Sequence, residues 1–318
     1  MKLSDAIRQF KMGDINKLEV AEQIHKSTEI LDDLCQCLRE TGSTCNLSSN
    51  GISTLLNIPE IGELRFHIDP VDYFSISTWA MLLGAEHIEI DVCSLFKKFI
   101  SSGCTVFDIG ANIGWYSIIS AQLGASVHAF EPIPQTFELL KKNVELNNFS
   151  ASIHAYNMGC SNKTGEDIYY FDERISGSAS RKDLKYLKDS QAKTVLAQQM
   201  RLDDFIGTYS VQSIDLIKCD VEGGELFVFK GAETVLNTFR PLVICEMLRK
   251  HAAQFGYYPD ETIALFTAAD YICVALDKNT PCSGYVMTHM TEDTVETNYL
   301  FIPKEKLSMV KRLINVQE

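Results

Sequence analysis

The sequence has no run of basic residues. Twenty-nine Lys and Arg stand against 42 Asp and Glu, a formal charge of −13. A protein that grips a phosphate backbone ordinarily carries a basic stripe, so the charge argues against nucleic acid as the main partner. Long apolar runs are missing too. No stretch approaches the roughly 20 residues of a membrane span. The amino terminus, MKLSDAIRQF, lacks the apolar centre of a secretory signal. A cytoplasmic protein is expected. The ten cysteines show no paired metal-ligand spacing; Cys35 and Cys37 are close, but as C-x-C on a helical pattern. Buried free thiols in a reducing compartment account for them. A P-loop and an H-E-x-x-H segment are absent, and none of the 12 tyrosines has Lys four residues later. These absences count against a P-loop nucleotidase, a zincin and a short-chain dehydrogenase.

What is present suits a large α/β protein. The 318 residues are 46% apolar, enough for one full domain and an accessory segment. Residues 4–40 read as two amphipathic helices, with Ser4 and Asp14 as N-caps and Gly13 at the break. Ile15, Leu18, Ile24, Leu31, Leu34 and Leu38 recur at helical spacing. This apolar face needs a partner, either the main domain or a second copy, so a homodimer through the amino-terminal helices is an expectation. Residues 41–55, rich in Ser, Thr, Asn and Gly, read as a linker. The organisation expected is therefore a helical hairpin and linker over 1–55 and one domain over 56–318.

From Cys104 strand and helix patterns alternate. TVFDI, SVHAFEP, ASIHAYN, SIDLIKCD and PLVICEM read as strands, with helices between them and YICVAL and NYLFIP as later strands. Alternation of this kind implies a mostly parallel, Rossmann-like sheet with helices on both faces. EDIYYF and TVLAQQM read as an inserted β pair, within an insertion at about 166–200.

In such a sheet ligands bind at the carboxyl ends of the strands. The loop after TVFDI is in that place and carries Asp108, Gly110, Ala111, Asn112 and Gly114. It is not the G-x-G-x-x-G that seats a pyrophosphate, since Ala111 or Asn112 stands where the middle glycine would be. Glu131 ends the second strand, 21 residues after Gly110, where an acid can accept both hydroxyls of a ribose. An acidic loop, an acidic ribose clamp and no pyrophosphate seat together suggest S-adenosyl-L-methionine. Pro132, next to Glu131, and Asn157, at the end of the third strand, complete the candidate cofactor-binding set.

A second constellation lies in IDLIKCDVEGGELFVFKGA. Lys218, Asp220 and Glu222 fall on one side of a strand end, and Gly223 and Gly224 open a helix with Glu225 in its first turn. Charges in that place are costly unless solvated, paired or in use. Glu225 also suits a helix amino terminus, and Lys218 with Asp220 suits an ion pair.

VFDIGANIG, FEPIPQTFELLKKNVELNN, IDLIKCDVEGGELFVFKGA and RPLVICEM, in this order, resemble the FkbM family of S-adenosylmethionine-dependent methyltransferases. The resemblance runs over about residues 62–303 and includes FHIDPVD, SGSAS and NYLFIP. It implies a class I methyltransferase fold, the cofactor S-adenosyl-L-methionine, and methylation of a hydroxyl oxygen on a sugar or secondary metabolite. Gly224 stands where the family commonly has alanine, and Ser178 and Ser180 where further glycine is usual. An alkyl hydroxyl needs a base. Asp220 and Glu222 are the candidates, with Lys218 beside them and His251 as a further proton-transfer group. Glu225, Glu246 and Glu89 are candidates for orienting a small-molecule or carbohydrate acceptor. Tyr169, Tyr170, Phe171, Arg174 and Arg181 are candidate pocket residues or ordinary loop residues. No metal ligand set is assigned; a divalent metal on the carboxylates is the alternative to a bare base. Transfer to nitrogen remains an alternative, although no [ND]-P-P-[FY] segment is present. A non-catalytic binding protein and a NAD-linked oxidoreductase are the other readings. Pro281-Cys282 resembles a cytosine-methylating dipeptide, but lies far from the expected sheet edge.

Overall fold

The computed structural model describes residues 3–41, 44–48, 51–58, 60–68, 90–172, 175–182 and 192–317. Two helices come first, α1 (Leu3–Met12) and α2 (Lys17–Thr41). Asn16 caps the second, its Oδ1 accepting from the amides of Leu18 and Glu19. The hairpin leaves Met12, Leu18 and Ile24 exposed.

The stretch expected as a linker is instead built into a sheet. Strands β1 (Thr44–Ser48), β2 (Gly51–Ile58) and β3 (Gly62–Ile68) pair antiparallel in that order. The polar composition hid an alternation: Thr54, Leu56 and Ile58 are buried on β2, and the Thr54 hydroxyl is satisfied by the carbonyl of Thr44. The boundary expected at residue 55 therefore falls inside a strand.

The main domain follows. Its elements are α3 (Ile90–Phe99), β4 (Thr105–Ile109), α4 (Trp115–Gln122), β5 (Ser126–Phe130), α5 (Pro134–Leu146) and β6 (Ile153–Tyr156). After the short β7 (Gly159–Cys160), the insertion contributes β8 (Gly165–Asp172), β9 (Ile175–Ser180) and β10 (Lys193–Met200). Then come α6 (Leu202–Thr208), β11 (Leu216–Cys219), α7 (Glu225–Lys230), α8 (Glu233–Thr238) and β12 (Leu242–Glu246). The chain closes with α9 (Arg249–Gln254), α10 (Pro259–Ala268), β13 (Tyr271–Leu276), β14 (Ser283–Met287), β15 (Asn298–Pro303), α11 (Leu307–Val310) and β16 (Asn315–Gln317).

The central sheet has the order β16-β14-β13-β15-β12-β11-β4-β5-β6. Strands β6, β5, β4, β11 and β12 are parallel, and β15 runs antiparallel to both β12 and β13. Counting β4, β5, β6, β11, β12, β13 and β15 as one to seven, the order across the sheet is 3-2-1-4-5-7-6 with the seventh reversed. That is the class I methyltransferase arrangement. The chain switches direction across the sheet between β4 and β11, which puts a crevice at their carboxyl ends.

Both faces are covered, which is why the central strands are apolar on both sides. Val106, Leu216, Ile244 and Leu300 pack with Phe96, Ile118 and Leu140 of α3, α4 and α5. Phe107, Ile217, Cys245 and Phe301 pack with Phe205, Phe229 and Phe266 of α6, α7 and α10. The small sheet docks on the first face. Asn143 Oδ1 and Asn147 Oδ1 of α5 and its C-cap accept from the amides of His67 and Arg65 at 2.7 and 2.8 Å.

The helix that Gly223 and Gly224 open ends at Lys230, and a second helix begins at Glu233. The chain breaks at Gly231, where a Cβ would overlap the Ser161 carbonyl. The inserted pair grows into a four-stranded sheet, β7-β10-β8-β9, with the expected β8–β10 pairing antiparallel. Among the described residues, no helix is long and apolar enough to cross a membrane.

Candidate active site

Alternation along the strands gathers polar groups on one face. Val106 and Leu216 point to the α4 side of the sheet, so Asp108 and Lys218 do too. They are direct neighbours across β4 and β11. Asp108 accepts a hydrogen bond from the Ser117 hydroxyl of α4, and burial lifts its carboxyl to about 6. Lys218 is fully buried, a position that costs several kcal/mol without compensation. Its Nζ lies 3.2 Å from Asp220 Oδ2 and 5.1 Å from the centre of the Tyr116 ring.

The glycine loop is tied to its neighbours by backbone. The amides of Gly110 and Ala111 both donate to the Phe130 carbonyl, at 3.0 and 2.9 Å. Gly110 needs its positive φ of 79°, and a Cβ there would overlap the Asp220 carbonyl. Gly114 has φ 93°, and a Cβ there would press on Leu140 of α5. These glycines serve close packing of loop on loop and helix on strand. Asn112, at φ 50°, carries a buried Oδ1 with no hydrogen-bond partner.

Glu131 clamps this loop. Its Oε2 accepts from the Asn112 amide at 3.0 Å and its Oε1 from the Ile133 amide at 2.9 Å. Burial raises its carboxyl to about 7. Each oxygen keeps a second lone pair for a hydroxyl donor. Asn157 Nδ2 donates to the carbonyls of Glu131 and Pro132, at 2.9 and 3.1 Å, and so fixes the turn below the acid.

The loop after β11 turns sharply. Glu222 has φ 53° and Gly223 φ 99°. A side chain on Gly223 would strike the His251 backbone, so this glycine admits α9 against the loop. His251 Nδ1 then lies 2.7 Å from Glu222 Oε2. Burial raises the Glu222 carboxyl, with His251 opposing that shift.

Glu225 does not face an acceptor. Its Oε1 accepts from the amides of Gly223 and Val221 at 3.0 and 3.2 Å, and the Tyr257 hydroxyl lies 3.3 Å from its Oε2. It is 2% exposed and, lifted by burial to about 7, serves as an internal brace of the turn. The expectation of a substrate role is corrected on that ground.

Asp220, Glu222 and Glu246 do come together. One oxygen from each lies within 4.8 Å of the others. Glu246 ends β12 on the face of Ile244 and is paired across to Asn298 of β15. Asn298 was not singled out from the sequence. It is 6% exposed and its Oδ1 has no hydrogen-bond partner. Neither Ser117 nor Tyr257 stands out in the sequence; both are polar and buried, the first bonded to Asp108 of the preceding strand and the second to the turn at Gly223.

The insertion reaches this edge. Ser180 Oγ donates to the Glu222 carbonyl at 3.1 Å. Arg181 stacks on Phe227 and Phe255 at 5.0 and 5.5 Å and donates to the Ser161 hydroxyl. Tyr169 and Phe171 are buried with Ile133 in a core of their own, as ordinary packing residues. Glu89 and Arg174 lie outside the described residues, as does 69–89, most of the 56–90 segment expected near the pocket.

A family model described as the methyltransferase FkbM domain matches residues 108–273. The chain is 29% identical over 204 residues to methyltransferase sdnD of Sordaria araneosa, covering 56% of this chain and 77% of that protein. It is 27% identical over 156 residues to the hexuronic acid methyltransferase AglP of Haloferax volcanii, covering 49% of this chain and 61% of that one. It is 28% identical over 157 residues to the 31-O-demethyl-FK506 methyltransferase FkbM of Streptomyces tacrolimicus, covering 41% and 60%. The solved methyltransferase FkbM of Methylobacillus flagellatus is 18% identical at a TM-score of 0.40, over 72% of this chain and 55% of that one.

Proposed function

Because the chain belongs to the FkbM methyltransferase family, we propose that it transfers a methyl group from S-adenosyl-L-methionine to a hydroxyl oxygen of a sugar or secondary metabolite. The observation that carries this reading is the carboxylate cluster of Asp220, Glu222 and Glu246, set beside the glycine loop at the crevice of a class I sheet. Two relatives have names that specify a hexuronic acid and 31-O-demethyl-FK506 as acceptors.

The residues at the glycine loop fit the cofactor. Asn112 Oδ1 is a buried acceptor that lacks a donor in the chain, and the cofactor carries an ammonium. Glu131 keeps acceptor capacity for ribose hydroxyls beside its two backbone donors. When bound, the cofactor supplies an electrophilic methyl on a sulfonium. The chain must bring a hydroxyl oxygen to near-attack distance and take its proton. Glu222 has the proton affinity for that task, since burial lifts its carboxyl, and the His251 ring holds the carboxylate in place. Lys218 balances the charge of Asp220, which lets two acids stand at one edge. Asp220 and Glu246 orient the acceptor hydroxyl.

Methyl-labelled S-adenosylmethionine tests the reading. Label is expected on hydroxylated sugars, hexuronic acids first, and not on the matching amino sugars' nitrogens. Label on nitrogen alone, or on no acceptor while the cofactor binds, would overturn the oxygen assignment.

A further inference from the structure

We propose that Asp220, Glu222, Glu246 and Asn298 form a binding site for one hard divalent cation, of the magnesium or manganese class. Asp220 follows β11, Glu222 sits in the turn beyond it, Glu246 ends β12 and Asn298 begins β15. Three carboxylate oxygens from these separate places lie within 4.8 Å of one another. Like charges held that close repel, and no local backbone preference brings them together. Glu222 even adopts a left-handed φ of 53° to reach its place.

A second observation is independent of the acids. Asn298 is 6% exposed, and its Oδ1 accepts from no donor. A buried carbonyl oxygen left unpaired is costly, and such groups ordinarily find partners. Asn298 is the direct antiparallel neighbour of Glu246, so the two side chains stand side by side on one face of the sheet. That face also carries Ile244 and Leu300, and it is the face of Lys218 and Asp108. The orphaned oxygen thus borders the acidic group and supplies its fourth oxygen.

The donor set names the ligand class. Four oxygens, with no thiolate or imidazole nitrogen among them, suit magnesium, manganese or calcium rather than zinc. His251 Nδ1 at 2.7 Å from Glu222 Oε2 has the form of an outer hydrogen bond that aims a ligating carboxylate. An octahedral ion held by four protein oxygens keeps two positions for water or acceptor oxygen. With the ion bound, Glu222 acts as a ligand instead of as the base, and a hydroxyl bound to the ion becomes more acidic and loses its proton to solvent. That use rests on the methyl-transfer reading; the binding site does not.

The test uses the full chain, stripped with chelator and free of cofactor and acceptor. Manganese(II) is titrated and followed by loss of its free paramagnetic signal, with magnesium followed by calorimetry. One ion per chain is expected. Glu246→Gln and Asn298→Leu should each weaken manganese at least about tenfold, while S-adenosylhomocysteine affinity stays within a few-fold and reports an intact fold. Asn298→Asp, which adds a charged oxygen, should tighten manganese, a gain that misfolding cannot mimic. No stoichiometric manganese in the wild type, or affinities unchanged in all three variants, would overturn the site. Loss of S-adenosylhomocysteine binding by the wild type would instead strike the cofactor reading and leave the ion result standing.

Discussion

Gly110 and Asp220 meet back to back: the space a side chain would need on Gly110 is filled by the Asp220 carbonyl. The two loops at the sheet edge are thereby locked together. Gly110→Ala should destabilise the fold itself by about 3 kcal/mol or more, from a steric overlap added to a left-handed backbone. Thermal unfolding should show a midpoint lowered by roughly 6 °C or more, with or without cofactor. Gly224 is the control. Its φ is −89° and a Cβ would meet Val221 at 3.3 Å, so Gly224→Ala should shift the midpoint by no more than about 2 °C.

Asn112 separates binding from stability. Its Oδ1 makes no hydrogen bond within the chain, and its φ of 50° suits glycine. Asn112→Gly should leave ligand-free stability unchanged within about 1 kcal/mol and weaken S-adenosylhomocysteine about tenfold, the worth of one hydrogen bond to a charged donor. Calorimetry reads both quantities. Unchanged affinity would move the cofactor's ammonium away from this residue.

Glu222→Gln keeps the volume and removes the proton acceptor. Turnover should fall at least about 100-fold, with S-adenosylhomocysteine affinity within a few-fold. Near-normal turnover would take Glu222 out of proton transfer.

The buried acids set a pH dependence. Burial holds Glu131 and Glu225 at about 7 against 4.5, and Asp108 at about 6 against 3.8. The folded chain therefore keeps protons that the unfolded chain has lost. Their contribution is full below the unfolded values and is lost as pH rises through about 7. His128, lowered by burial from 6.5 to about 4, works the other way as one group against three. The ligand-free unfolding midpoint should fall from about pH 5 to about pH 8. Glu131→Gln should flatten that fall, by on the order of 3 kcal/mol across the window. A variant with the wild-type slope would contradict the assignment.

Much of this was legible in sequence, and the exceptions share a cause. TVFDI and PLVICEM announce buried strands because both faces of the sheet are covered. The distance of Glu131 from Gly110 announces its place against the glycine loop, though not its ligand. Thr54 does not, because a Ser- and Thr-rich stretch looks like a linker until the Thr44 carbonyl is seen to satisfy its hydroxyl. Gly110 looks like room for a ligand, yet the occupant of that room is backbone from Asp220. Whether Glu225 turns inward depends on the positive φ of Glu222 and Gly223. Asn298 becomes visible only through the register of β15 on β12. In each case the fold of the backbone around a residue, or a strand or loop brought against it, decides a role that its local pattern leaves ambiguous.

The most direct test of the central claim is thermal unfolding of the full chain with excess S-adenosylmethionine, S-adenosylhomocysteine or NAD in parallel. A ligand at about 100 times its dissociation constant adds about 2.7 kcal/mol to the folded state. The account predicts a raised midpoint with both adenosyl ligands and none with NAD. A rise with NAD alone, or with none of the three, would contradict it.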